Sequence, residues 1–162
     1  ATSSNDVRMV GLSSSGRQRV SRYIDVKYLQ SNSFINKYKV EIPKANGTGK
    51  LGERLSTPFV EQPNEGVTDT FISFGPFDTQ DEAEALLKYI KTKFCRALLG
   101  IRKITQDNPK SAWEYVPMQD FSSNSDIDWS KSVFDVGHQL YEKYDLSDDE
   151  IHFIETKVQA MD

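Results

Sequence analysis

Two glycine-spaced loops and two histidines are the features of this 162-residue chain whose types and spacing come nearest to chemistry. Gly11-Leu12-Ser13-Ser14-Ser15-Gly16-Arg17-Gln18 follows an apolar run at 7–12 and has the glycine spacing of a phosphate-cradling P-loop. Its two reactive positions are wrong. Arg17 stands where a lysine reaches the β- and γ-phosphates, and Gln18 stands where a hydroxyl binds magnesium. Gly47-x-Gly49-x-x-Gly52 has dinucleotide-loop spacing, but Leu55-Ser56-Thr57-Pro58 follows where an amphipathic helix must begin. No helix N-terminus then meets a pyrophosphate, and a flexible loop is the reading. His138 and His152 fall on separate predicted helices with no Cys or second His at ligand spacing, so metal binding and Ser/His catalysis both lack parts. Carboxylates are plentiful, yet chain order picks out no acid–base pair. Nor does it assemble the carboxylate pair with adjacent lysine that a free-standing metal-dependent nuclease needs. The sequence displays no active site.

Residues 77–105 are the scaffold on which any site must be held. Thr79 with Glu82 three residues later has capping-box spacing. Ala83, Leu86, Leu87, Ile90, Phe94, Leu98 and Ile101 recur at the three- and four-residue steps of one helical face. Acidic Asp81, Glu82 and Glu84 precede basic Lys88, Lys91, Lys93 and Arg96, the order that complements the helix macrodipole. The pattern predicts one long central helix lying across a small sheet, with Cys95 as a buried small hydrophobe. Strands are predicted at 7–12, within 34–43 and at 68–77. In the second of these, Tyr38, Val40 and Ile42 alternate with Lys37, Lys39 and Glu41, giving one buried and one wet side. Residues 17–28 alternate basic and apolar residues, suiting either a phosphate-tracking surface or an exposed edge strand with snorkelling arginine stems. Residues 57–65 read as a loop, 106–109 as a break and 112–117 as a short aromatic strand. A polar linker at 121–128 leads to a helix pair at 130–144 and 147–161, the second opened by another capping box at Ser147 and Glu150. The expected fold class is α+β: a small mixed or antiparallel sheet packed by one long helix, then a C-terminal helical pair. The expected division is a domain at 1–121 and an acidic helical appendage at 122–162.

Composition describes an ordinary globular chain, 27% charged and 37% apolar. No apolar run approaches the roughly 18 residues that span a bilayer. One cysteine gives no disulfide framework, and the reading is cytoplasmic. The polar start at Ala1, without methionine, reads as a cut inside a longer protein, although methionine removal leaves the same end. Net charge is −4 but unevenly spread. Residues 1–54 hold ten Lys/Arg against four Asp/Glu, residues 55–113 seven against eight, and residues 114–162 three against twelve. A basic third beside an acidic tail suggests one nucleic-acid face and one solvated or partner-facing end.

Several segments together resemble a known family. They are Tyr38-Lys39-Val40 with Pro43-Lys44-Ala45-Asn46-Gly47, Lys88-Tyr89-Ile90-Lys91-Thr92-Lys93-Phe94, Arg102-Lys103-Ile104-Thr105-Gln106 and Tyr115-Val116-Pro117-Met118-Gln119-Asp120-Phe121. Asp128-Trp129-Ser130, Leu140-Tyr141-Glu142-Lys143-Tyr144 and Ile151-His152-Phe153-Ile154-Glu155 complete the set. From about Gly11 to Met161 the chain resembles the C-terminal region of bacterial type II restriction–modification proteins that carry an adenine-specific DNA methyltransferase, often fused to an endonuclease. The resemblance implies that the S-adenosylmethionine fold and the base-gripping Asn/Asp-Pro-Pro-aromatic tetrapeptide lie upstream. Asp107-Asn108-Pro109-Lys110 lacks the second proline and the aromatic of that tetrapeptide and reads as a turn. No cofactor is then expected in this chain, and S-adenosylmethionine is expected in the parent protein.

The implied role is a non-catalytic region that binds double-stranded DNA for sequence recognition. Recognition needs cations for phosphates and polar loop residues for base edges. Arg17, Arg19, Arg22, Lys37, Lys39, Lys44 and Lys50 are the candidates for phosphate or base contact, and Asn46 is the best single reader because Asn pairs bidentately with adenine. The competing reading is a protein-interaction module, in which the acidic helix pair, with Trp129, Tyr141, Tyr144 and Phe153, docks onto the methyltransferase or endonuclease portion.

Overall fold

Among the described residues six strands and four α-helices make the predicted α+β fold, with two three-stranded sheets where one was expected. The computed structural model describes residues 3–16, 18–29, 34–45, 47–102 and 110–162. β1 (Asp6–Leu12) and β2 (Arg19–Asp25) form an antiparallel pair from Asp6↔Asp25 to Leu12↔Arg19. β5 (Glu65–Val67) joins β1 in parallel, so the first sheet is mixed, in the order β2-β1-β5. The second sheet is antiparallel, with β3 (Tyr38–Pro43) between β4 (Phe59–Glu61) and β6 (Phe71–Phe77). β4 arises where a loop was expected, and β5 begins at the last residue of that loop. Each is three residues long, too short for alternation to register. Between them the chain turns through Pro63 and Asn64, the latter at a left-handed φ of 63°.

α1 (Gln80–Lys91) crosses the second sheet, packing against β3, β4 and β6. Its predicted capping box is present: the Glu82 N–H donates to Thr79 Oγ1, and the Glu82 carboxylate accepts from the Thr79 N–H. Val40 and Ile42 of β3 meet Leu86, Tyr89 and Ile90 of α1 in the core. Each fully buried aliphatic side chain there stabilises the fold by about 1.5–3 kcal/mol.

The helix does not run unbroken to residue 105. Thr92 is extended (ψ 148°) and separates α1 from α2 (Lys93–Arg102). Its hydroxyl donates to the Tyr89 carbonyl at 2.7 Å and accepts from the Cys95 N–H at 3.2 Å, closing one helix and opening the next. The break changes the phase of the apolar face. Phe94, Cys95, Ala97 and Leu99 enter the core, while Ile101, on the predicted stripe, is 67% exposed. Cys95 is fully buried, as expected, and burial pushes its thiol up to about 12.

The predicted aromatic strand near 112–117 is instead a 3₁₀ turn (Lys110–Trp113), with Trp113 edge-on to Phe74 at 4.8 Å. The break expected at 106–109 lies outside the described residues. α3 (Val133–Lys143) and α4 (Asp148–Lys157) form the predicted pair, and Ser147 and Glu150 make the second capping box. Ile127, Val136, Leu140, Tyr141, Ile154 and Val158 belong to the same core cluster as Val40 and Ile90. Residues 122–162 therefore contribute directly to the core over the second sheet.

Thr92→Val keeps the shape of this side chain but strands the buried Cys95 N–H, while the Tyr89 carbonyl keeps only its bond from the Thr92 N–H. Its expected cost is about 1–3 kcal/mol in urea unfolding; an unchanged midpoint would show that the double cap contributes nothing.

Candidate functional site

β3 is buried on both faces, and the second face is charged. One face carries Val40 and Ile42 into the core. The register Lys39↔Glu61, Glu41↔Phe59 and Glu41↔Ser73 places Lys39, Glu41, Glu61 and Ser73 together on the other, because directly paired residues share a side of the sheet. The predicted wet side is therefore closed. Glu41 and Glu61 are both 0% exposed and Lys39 is 8% exposed. Chain order alone did not bring these two carboxyl groups and the lysine together, and here the lysine is ion-paired to one of them.

The Lys39 ammonium lies 3.2 Å from Glu61 Oε1 and donates to the Phe34 carbonyl at 3.2 Å and the Lys37 carbonyl at 3.4 Å. The Ser73 hydroxyl donates to Glu41 Oε2 at 2.7 Å. Among the described residues Glu41 Oε1 and both Glu61 oxygens have no hydrogen-bond partner of good geometry, the ion pair to Lys39 aside. Burial first, and then the neighbouring Glu61, push the Glu41 carboxyl up to about 9. A proton held there turns Glu41 into a donor toward Glu61. The cluster then sums to zero charge: one ammonium, one carboxylate and one neutral carboxyl. Two carboxyls sharing a proton follow from like charges that cannot both ionise when buried together.

Lys39, Glu61 and Ser73 line a cleft of about 370 Å³, whose other walls include Met9, Phe34, Ile35, Val67, Phe74 and Pro76. Apolar walls around a few convergent polar groups are the usual build of a small-molecule site. A larger hollow of about 790 Å³ lies between α1 and the segment at 121–130, lined by Asp81, Glu84, Asp126 and Asp128 with Lys88 as its one cation. That sign of charge is unsuited to a polyanion. Among the described residues, no group of three or more His, Cys, Asp or Glu side chains forms that could hold a metal ion.

The residues expected to contact DNA are scattered by this fold. Lys39 is in the buried cluster and is not presented to a phosphate at the surface. Lys37 pairs with Asp78. The Arg19 guanidinium lies 4.9 Å from the Phe59 ring centre and 5.8 Å from that of Phe71, and it donates to the Thr57 carbonyl. Arg22, Lys44 and Lys50 are exposed and have no ion pair among the described residues. Arg17 and Asn46 lie outside the described residues.

The glycine loop is pinned, contrary to the flexible reading. The Glu53 carboxylate accepts from the Thr48 and Gly49 N–H groups at 2.7 and 2.8 Å. Gly47, Gly49 and Gly52 all have left-handed φ, and a Cβ on Gly52 would come within 2.1 Å of the Lys157 carbonyl oxygen. Two of the loop's amides are thus filled from within the chain.

Sequence reasoning missed Glu41, Glu61 and Ser73. Lys39-Val40-Glu41 at period two already puts Lys39 and Glu41 on one side of a strand. The partner strand bearing Glu61 carried no comparable signal.

Glu41 binds a proton more tightly when folded than when unfolded. Its contribution is therefore fully present below the ordinary carboxylate range and is lost as pH rises toward about 9. Across that window wild-type stability is expected to fall relative to Glu41→Gln by up to about 1.4 kcal/mol per pH unit. Parallel urea midpoints for the two proteins from pH 5 to 9 would refute the shared proton. Comparison with family models, with curated proteins and with solved structures finds no match to this chain.

Proposed function

We propose that this chain is a DNA target-recognition region of a type II restriction–modification protein with an adenine-specific methyltransferase, cytoplasmic and without catalysis of its own. The observation that carries the reading is the set of exposed, unpaired cations in the basic third. Arg22 lies on β2, an edge of the mixed sheet, Lys44 precedes the anchored glycine loop and Lys50 lies within it. Exposed Arg54 adds a fourth. Cations without carboxylate partners are free to take phosphates, whereas Lys37, Lys39 and Arg19 are already engaged. Among the described residues no helix is long and apolar enough to cross a membrane. The resemblance over the chain supplies the partners: double-stranded DNA, and the methyltransferase or endonuclease portion of the parent, where S-adenosylmethionine would bind.

One observation favours docking as a second role. Phe134 on α3 and Phe153 on α4 are 63% and 48% exposed on the acidic pair. Tyr141 by contrast is buried, and Trp129 packs on Tyr89 and Phe121 while donating to the Asp120 carbonyl. Deleting 122–162 would remove six core residues, so Phe134→Ser with Phe153→Ser is the clean probe of that surface.

Binding to a pooled random duplex, followed by fluorescence anisotropy, is expected to weaken by about 0.9 log units per phosphate contact for each log unit of salt. Arg22→Ala, Lys44→Ala and Lys50→Ala are each expected to lower that slope by about one. The reading fails if low salt gives no binding, or if the three variants leave the slope unchanged.

A further inference from the structure

The cleft between the two sheets is not used by the proposed DNA surface, and its floor is chemically specific. Glu61 is fully buried and lines the cleft; the Lys39 ammonium stands 3.2 Å from its Oε1, and among the described residues neither oxygen is met by a well-aligned hydrogen bond from an N–H group or a hydroxyl. A proton on Glu41 satisfies only one lone pair of a carboxylate that offers about four. Beside it, Lys39 holds one long contact, 3.4 Å to the Lys37 carbonyl, which it can exchange for a better acceptor. The floor therefore presents two adjacent acceptors and one donor inside apolar walls.

We propose that this cleft binds a guanine base through its Watson–Crick edge. N1–H and the N2 amino group donate to the two Glu61 oxygens, and O6 accepts from Lys39. Met9, Pro76 and Phe34 enclose the ring. Phe34, 48% exposed, lines the same cleft and is placed to stack on a base there, and the wall that closes Glu61 from solvent must yield for the base to reach it. Other donors fit less well. A guanidinium would also fork onto Glu61, but it brings a positive charge against the Lys39 ammonium. A divalent cation meets the same ammonium 3.2 Å from Glu61. Adenine turns an acceptor, N1, toward the carboxylate. The base has two sources, a free guanine nucleotide or a guanosine unstacked from DNA, and the chemistry of the floor is common to both.

Saturation-transfer NMR on the whole chain with millimolar deoxyguanosine, deoxyinosine and deoxyadenosine tests the site. Transfer is expected for deoxyguanosine. It should be about tenfold weaker for deoxyinosine, which loses one charge-assisted hydrogen bond, and absent for deoxyadenosine. Glu61→Gln, which turns an amide donor toward the base, should abolish the signal. So should Lys39→Met with Glu61→Met, which leaves no lone buried charge and keeps the variant foldable. Two further arms separate the sources. Tighter binding of GMP than of a duplex with one bulged guanine assigns the free nucleotide, and the reverse order assigns extruded DNA. No transfer from deoxyguanosine, equal transfer from deoxyadenosine, or a signal that survives in the folded double variant overturns the proposal. Salt-dependent duplex binding is read separately and is unaffected by any of these outcomes.

Discussion

A strand that is buried on both sides must neutralise whatever charge it carries, and β3 carries a lysine and a glutamate on its second face. The solution to the charge is local: Lys39 against Glu61, and Ser73 and a held proton for Glu41. Taking away Lys39 or Glu61 alone leaves the other as a charge without compensation in a low-dielectric setting, where such losses cost about 3–5 kcal/mol. The rest of the fold is arranged around that requirement. β4 is only three residues long, yet it delivers Glu61; β6 delivers Ser73; and β5, packed into the mixed sheet, supplies Val67 to the wall above them.

On the opposite face of the same strand the physics is ordinary packing. α1 covers Val40 and Ile42, and α3 and α4 extend that core with Val136, Leu140 and Ile154. The acidic pair is thus amphipathic in the usual sense: its apolar side completes the core, and its carboxylates face water. This distribution decides which cations are available for a ligand. Those near carboxylates or aromatic rings are held, as with Lys93 on Glu155 at 2.7 Å and Arg19 over Phe59. Those at the edge strand and the glycine loop are left to solvent.

Much of the scaffold was legible because its signals are local. Thr79 with Glu82 and Ser147 with Glu150 satisfy their own backbone amides within four residues, so the sequence contains the whole interaction. Thr92 was not legible. Its hydroxyl can cap two helices only once it is buried, and the smooth apolar periodicity around it hides the break. β4 and β5 are too short for alternation to show, and their pairing depends on β1 and β3, distant in sequence. The candidate site fails to show for the same reason. Lys39 and Glu41 reveal a shared side but not its burial, because burial is decided by Glu61, Ser73 and the neighbouring sheet. Arg19 looked like a phosphate ligand by type, and the two phenylalanine rings beneath it come from separate strands.

The close approach of Gly52 to the backbone at Lys157 couples two distant parts of the chain. The Gln159 N–H donates to the Gly52 carbonyl at 2.8 Å, and the Leu55 N–H to Met161 Sδ at 3.4 Å. Buried Arg96 donates to the Gln159 and Glu53 carbonyls from between them. The glycine loop and the segment after α4 therefore form one cooperative unit of local opening rather than two independently fraying ends. Amide exchange at Gln159 should report on the order of the loop that displays Lys44 and Lys50, more than 100 residues earlier in the chain.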